Sequence, residues 1–286
     1  MRTIAGLQPS LAGEILITGQ TLASFKPAEL AKSLSLVLAE KAETGNLTAR
    51  EVISLGRTPY TGWLGILNDT DKEKIDQAIN HAGVAAFLNR HINQLSDGEK
   101  QKVMLARALA QDTPIILLDE PTAHLDLPSR IEMMRLLHRL ARQTGKAILL
   151  STHDLDLALQ TADNLWLMRQ NGELVSGGPE DLVLDGSFQS LFSNNDTFFD
   201  QNTGTFTIHN NPAYGQIHVS GDEKLVFWTK RALVREGFGT GPAENAFCSI
   251  TAFAENALPV WKIRINGQTF QTSSINELIR QIRKGL

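Results

Sequence analysis

The sequence predicts an α/β protein with a parallel sheet covered by helices on both faces, followed by a second, smaller α/β domain. Two observations carry this. Apolar runs of strand length (residues 115–118 and 147–150) alternate with amphipathic stretches of helix length, the pattern of strand–helix–strand units. Near Gly186 the composition then shifts to Asn, Thr and Gly, and a new strand–helix–strand series starts at Gln216. A chain of 286 residues has room for two domains. The boundaries read as a first domain over 1–186, a linker with a hairpin over 187–214, and a small domain over 215–286.

Taken in order, residues 2–7 read as a short helix stopped by Gly6 and Pro9, and 14–18 as a strand. A brief helix at 26–32 accepts Pro27 in its first turn, and the Leu/Val run at 34–38 suits a buried strand. Thr48 followed by Glu51 is a capping box that opens a helix. Residues 60–65 form a loop with exposed aromatics. The stretch from Asp69 places Ile75, Ala78, Ile79 and Ala82 on one face, with acids in its first turn favoured by the helix dipole. Gly98 opens a helix through Val103, Leu105, Ala106 and Leu109. Further helices fit 128–143 and 155–161, and Asn171-Gly172 marks a hairpin between strands at 165–168 and 173–176.

In the smaller domain, strands fit 216–220, 247–253, 261–265 and 268–272, with helices over 222–236 and after the Ser274/Glu277 capping box. Trp261, Ile263 and Ile265 alternate inward, and Phe227 and Trp228 are expected in the core.

Composition narrows the function classes. Hydrophobic residues at 42% and charged residues at 20% describe an ordinary globular protein with a sizeable core. A net charge of −4 gives no case for nucleic acid or for an anionic membrane. The lone Cys248 forms no internal disulfide and reads as a small buried hydrophobe, which fits a reducing compartment. No secretory signal or membrane-spanning run is found, so a cytoplasmic location is expected, with any membrane role arising through a partner.

The chemistry gathers between Leu95 and His153. Two adjacent carboxylates, Asp119 and Glu120, end an apolar strand, where burial and mutual repulsion disfavour a purely structural pair. One of them can hold Mg²⁺ while the other polarises a water. His153 ends a second apolar run, at the strand edge where ligands sit in parallel sheets. Ser96 and Gly98 precede a helix and can offer a hydroxyl and backbone N–H groups to an anion.

In this order and spacing these residues resemble the ATP-binding subunit of ABC transporters, over about residues 1–185. LSDGEKQ resembles that family's signature motif, with Asp97 where Gly is more usual; IILLDEP resembles its Walker B strand, AHLD its D-loop and THD its switch histidine. The stretch TAREVISLGRTPYTGWLG further resembles importers of iron–siderophore complexes, haem and cobalamin. The resemblance implies a P-loop NTPase cassette with a helical subdomain between Thr48 and Gln94, taking ATP and Mg²⁺ as cofactors. It implies that Asp119 positions the metal, Glu120 acts on the hydrolytic water and His153 contacts the γ-phosphate. Ser96, Asp97, Gly98 and Asp126 would face ATP held by a second ATPase subunit in a homodimer. Transmembrane permease subunits would place the protein on the cytoplasmic face of the inner membrane.

Two departures stand out. No G-x-x-x-x-G-K-[ST] loop occurs, and LRTIAGLQP-like words follow that loop in the family, so the chain is expected to be an N-terminally truncated, inactive form. Glu40 is the nearest counterpart of the Q-loop glutamine, with Ala39 beside it, and a carboxylate cannot donate the amide hydrogen bond. The competing readings are a degenerate, non-catalytic cassette acting as a binding module, and a soluble ABC-type protein acting on nucleic acid. The latter usually carries two cassettes or long coiled-coil insertions, and the chain has neither.

Overall fold

The computed structural model describes residues 1–38, 46–169, 171–192, 197–201, 204–208 and 213–284. The chain divides into two compact units, Met1–Ser187 and Phe188–Leu286.

The first unit opens with a two-stranded hairpin, β1 (Leu16–Ile17) and β2 (Gln20–Thr21), then α1 (Pro27–Ser33) and β3 (Leu34–Val37). Next come α2 (Ala49–Ser54), α3 (Asp69–Ala82), α4 (Asp97–Ala110), β4 (Ile115–Asp119), α5 (Leu127–Thr144), β5 (Ala147–Ser151) and α6 (Leu155–Thr161). Strands β3, β4 and β5 form a parallel sheet in that order, with Leu36 beside Leu117 and Asp119 beside Ser151. Because side chains alternate along a strand, central β4 feeds two cores. Ile116 and Leu118 pack with α2 to α5 on one face, while Leu117 joins Leu34, Ile17 and Ala5 on the other. This is the doubly covered parallel sheet that the alternating pattern predicts. The expected Asn-Gly hairpin forms between β6 (Leu165–Met168) and β7 (Leu174–Gly177), as a separate antiparallel pair, and α7 (Pro179–Leu184) follows.

The Thr48/Glu51 capping box forms as expected, whereas the Ser274 N–H, ahead of the helix at 275–284, donates to Thr272 Oγ1 at 3.3 Å. Thr48 Oγ1 accepts from the Glu51 N–H at 3.3 Å, and Glu51 accepts from the Thr48 N–H at 2.7 Å. One expected element is corrected. Residues 2–7 make no regular helix but a single turn, with Leu7 N–H on Arg2 C=O and Gly6 N–H on Thr3 C=O. Gly6, at φ 71°, takes the left-handed conformation that closes such a turn, so the chain exits before a second turn can form.

The second unit begins with α8 (Ser187–Phe192), β8 (Thr197–Asp200) and β9 (Thr205–Ile208), where Phe188 and Phe199 meet edge to face at 4.8 Å. Then follow β10 (Gln216–Gly221), α9 (Glu223–Arg235), β11 (Gly239–Thr240), β12 (Cys248–Glu255), β13 (Leu258–Ile265), β14 (Gln268–Thr272) and α10 (Ile275–Lys284). The five strands from β10 onward are ordered β11-β10-β12-β13-β14. Their inward residues, among them Ile217, Ile250, Ile263 and Trp261, pack on Leu233 of α9 and Leu278 and Ile282 of α10. The inward alternation of Trp261, Ile263 and Ile265 is as expected, and the indole N–H of Trp261 donates to Thr229 Oγ1 at 2.7 Å.

Phe227 and Trp228 are a correction: they are 47% and 51% exposed. Helix α9 turns Thr229, Ala232 and Leu233 to the sheet, and a 3.6-residue period carries 227 and 228 to the far side. Strand β11 and the tight Asn256-Ala257 turn joining β12 to β13 were also not anticipated. Both turn residues adopt positive φ, which Ala rarely signals in a sequence.

Candidate functional site

Pairing of β4 with β5 brings two parallel strand ends to one sheet edge, where the register sets Asp119 beside Ser151. The Ser151 hydroxyl donates to Asp119 Oδ1 at 2.7 Å and accepts the Glu120 N–H at 3.0 Å. One hydroxyl therefore fixes both the Asp119 carboxylate and the backbone of its neighbour. Glu120 sits at φ 49°, a left-handed conformation uncommon for a side-chain-bearing residue, and one that clusters at functional sites. This turn directs its side chain off the strand to His153, whose Nε2 lies 2.7 Å from Glu120 Oε1. The His153 side chain is 87% exposed, so the pair opens to solvent.

A second group forms at the starts of α4 and α5. Ser96 caps α4: its oxygen accepts the Glu99 N–H at 3.2 Å while Glu99 accepts the Ser96 N–H at 2.8 Å. The Ser96 N–H, with the hydroxyl and Arg90, holds the Glu99 carboxyl below its ordinary range against burial. Arg90 braces Glu99 at 3.2 Å and also donates to the Gln94 carbonyl. Asp97 pairs with Lys100 at 3.6 Å. Asp126 caps α5 by accepting the Ser129 N–H at 3.1 Å, and Ser129 holds its carboxyl below the usual value. A Cβ built on Gly98 would meet Ser129 Oγ at 3.5 Å, so the two helix starts adjoin. A cleft of about 590 Å³ opens here between Ser96, Gly98, Ser129 and Lys102.

The expected residues thus fall into two groups: Asp119, Glu120 and His153 in one, Ser96, Asp97, Gly98 and Asp126 in the other. Glu40 and Ala39 lie outside the described residues. Three contributors were missed. Ser151 could be found only by knowing that β4 pairs with β5, and Ser129 only by placing α5 against α4. Arg130 donates to the Leu125 carbonyl at 2.7 Å and to Asp154 at 3.1 Å, tying the segment before Asp126 to the loop carrying His153.

The Gly-Arg-x-Pro-Tyr stretch proves to be a brace. A Cβ on Gly56 would lie 2.3 Å from the Arg107 carbonyl oxygen, so only glycine allows this approach to α4. Buried Arg57 donates to Asp71 at 2.8 Å and to the Ala110 carbonyl at 2.9 Å, and its guanidinium lies 3.9 Å from the Tyr60 ring centroid. Of the loop's two aromatics Trp63 is exposed as expected, whereas Tyr60 is half-buried against Arg57; Leu64 and Ile66 beyond are exposed as well. Among the described residues no helix is long and apolar enough to cross a membrane. None of them forms a cluster of three or more His, Cys, Asp or Glu that could hold a metal alone.

Comparison with known proteins agrees with this architecture. The family described as "ABC transporter" matches residues 1–123, and that described as "Iron ABC transporter C-terminal domain" matches residues 214–283. Among solved structures, the fold is similar to CbiO1 of Clostridium perfringens, with TM-score 0.57 and 23% identity over 66% of this chain and 75% of that one. It is also similar to MJ0796, described as a dimeric bacterial ABC transporter cassette, with TM-score 0.52 and 27% identity over 62% of this chain and 78% of that one. The class is thereby fixed as an ATP-binding cassette with a helical subdomain and a C-terminal α/β domain. Among curated relatives, the ABC transporter ATP-binding protein MJ0873 of Methanocaldococcus jannaschii is 34% identical, covering 74% of this chain and 73% of its own length. The achromobactin transport ATP-binding protein CbrD of Dickeya dadantii is 32% identical, over 68% and 72% respectively. The chain belongs to the ATP-binding proteins of ABC transporters.

Proposed function

We propose that the chain is the ATPase subunit that powers import of an iron–siderophore, haem or cobalamin complex, bound to permease subunits on the cytoplasmic face of the inner membrane. The observation that carries the ATPase assignment is the Asp119–Ser151–Glu120–His153 cluster at adjoining parallel strand ends. The cargo class is supported by the iron-transporter family match over 214–283 and by relatives named for achromobactin, petrobactin and cobalamin.

In this reading Asp119 is the metal residue. Magnesium takes one or two protein carboxylates and fills its octahedron with waters and phosphate oxygens, so a single carboxylate held by a hydroxyl fits it. When bound, the ion offsets charge on the phosphates. Glu120 accepts from His153 through one oxygen, which leaves the other to accept a proton from the attacking water. His153 is exposed, and turning from Glu120 brings its ring N–H to a terminal phosphate. Ser96, Asp97, Gly98 and Asp126 belong to the composite site of a dimer, a reading supported by the dimeric MJ0796 cassette. Gly98, in the first turn of α4, has an N–H without an intrahelical acceptor.

The 286 residues contain no G-x-x-x-x-G-K-[ST] sequence, so the polypeptide as it stands is proposed to hydrolyse ATP negligibly. The test compares it with a form in which such a loop segment precedes Met1. The loop-bearing form is expected to hydrolyse ATP, and Glu120→Gln to lower its turnover ~10²–10⁴-fold. Equal turnover with and without the loop would overturn that inactivity, and unchanged turnover in Glu120→Gln would overturn the role of Glu120. A loop-bearing form that binds no nucleotide would leave the non-catalytic module as the better reading.

A further inference from the structure

The formal charge of −4 hides a strong segregation in the second unit. Helix α9 carries Lys224, Lys230, Arg231 and Arg235 against Glu223, with Asp222 and Glu236 at its two ends, and α10 carries Arg280, Arg283 and Lys284 against Glu277. Arg235 and Arg283 pair with Glu236 and Arg280 with Glu277, which leaves the positive excess at Lys224, Lys230 and Arg231 of α9 and Lys284 of α10. The apolar stripes of both helices are spent on the sheet core, so these cations stand on the outer surface. Lys224 and Lys230 have no ion-pair partner among the described residues.

Within this basic surface stand the two aromatics that should have been core. Lys224, Phe227, Trp228 and Arg231 follow at i, i+3, i+4 and i+7, which sets them in one stripe along α9. Phe227 and Trp228 meet edge to face at 5.4 Å, and the Arg231 guanidinium lies 5.5 Å from the Trp228 ring centroid. The stripe therefore presents a preassembled wedge of two half-exposed rings flanked by cations. The stripe itself holds no carboxylate, and Glu223 borders it one turn before Phe227.

We propose that this stripe of α9 docks on an anionic lipid surface, with Phe227 and Trp228 at the headgroup level and Lys224 and Arg231 against lipid phosphates. Charge complementarity selects an anionic partner. The choice of lipid rests on the aromatics: Trp prefers the membrane interface, and aromatic residues beside Lys and Arg on one helix are the composition of an interfacial helix. A single helix face with two rings is a shallow anchor, so binding should be reversible and salt-sensitive. This contact would be a second tether, independent of any permease and of the nucleotide site, and it does not rest on the function proposed above.

The test is sedimentation of the full chain with vesicles of phosphatidylglycerol mixed into phosphatidylethanolamine, against vesicles of phosphatidylcholine. Binding is expected only to the anionic vesicles and is lost at high salt. Lys224→Gln and Arg231→Gln should each weaken it about fivefold, since a cation near such a surface contributes about 1 kcal/mol. The pair Phe227→Ala/Trp228→Ala should weaken it at least about tenfold. Trp63→Ala, which removes the fully exposed indole of the first unit, should leave it unchanged. All five side chains are exposed, so unaltered thermal unfolding will show that the variants fold. Failure to bind anionic vesicles, equal binding to phosphatidylcholine, or full binding by the double variant would each overturn the proposal. So would competition by single-stranded DNA that strips the protein from vesicles, which would make nucleic acid the better partner.

Discussion

His153 Nε2 and Glu120 Oε1 lie 2.7 Å apart although the two residues end different strands. The contact exists because β4 and β5 run parallel in a register that levels Asp119 with Ser151, so the residues just beyond each strand share one edge. A histidine donating to the carboxylate fixes the direction of the imidazole ring and of the carboxylate oxygens before any ligand arrives.

Ser151 is the pivot of that edge. Ser151→Ala removes the donor to Asp119 and strands the Glu120 N–H, so a loss of ~1–3 kcal/mol is expected for unfolding of the first unit. Urea unfolding monitored by circular dichroism measures it. An unchanged midpoint would show that water replaces the hydroxyl.

Two glycines should behave oppositely. Gly56→Ala drives a Cβ to 2.3 Å from the Arg107 carbonyl oxygen, and ~1–3 kcal/mol of strain is expected. Gly98→Ala meets Ser129 Oγ at 3.5 Å and Ser129 Cβ at 3.7 Å, ordinary contacts, and should leave the unfolding midpoint nearly unchanged. Any effect of Gly98→Ala on nucleotide would then report on the site and not on the fold.

The Arg57–Asp71 pair predicts acid sensitivity. Burial pushes the Asp71 carboxyl up, but hydrogen bonds from Arg57 and the Asn68 N–H together with the Arg57 charge outweigh it and hold the group below its ordinary value. A carboxyl whose folded pKa is depressed contributes stability above its unfolded pKa, near ~4, and loses it as pH falls through that value towards the folded one. Asp112, held down by Lys74 and Lys146 despite burial, acts in the same sense. The first unit should therefore lose stability below about pH 4, as followed by unfolding at stepped pH. Arg57→Ala should lower stability by ~3–5 kcal/mol at neutral pH, because it leaves a buried carboxylate uncompensated.

Cys248 lies in the core of the second unit, and burial pushes its thiol up to about 11. The neutral thiol is a poor nucleophile, so maleimide labelling at pH 7–8 is expected only after unfolding in urea. Rapid labelling of the native chain would show that β12 opens.

Much of this was legible in the sequence because it is local. The capping box at Thr48 needs only three residues of spacing, and the parallel sheet follows from short apolar runs set between helical stretches. The order of Ser96, Asp119, Glu120, Asp126 and His153 was enough to indicate the class of chemistry. Tertiary structure decided what depends on which strand lies beside which, and on which way a helix turns. Ser151 bridges Asp119 and Glu120 only because β5 pairs with β4 in one register, and Arg130 reaches Asp154 across a distance in sequence that no spacing rule reads. Phe227 and Trp228 look like core by hydrophobicity alone. The phase of α9 against its sheet turned them outward, and that phase is set by the packing of Thr229, Ala232 and Leu233, which no count of apolar residues contains.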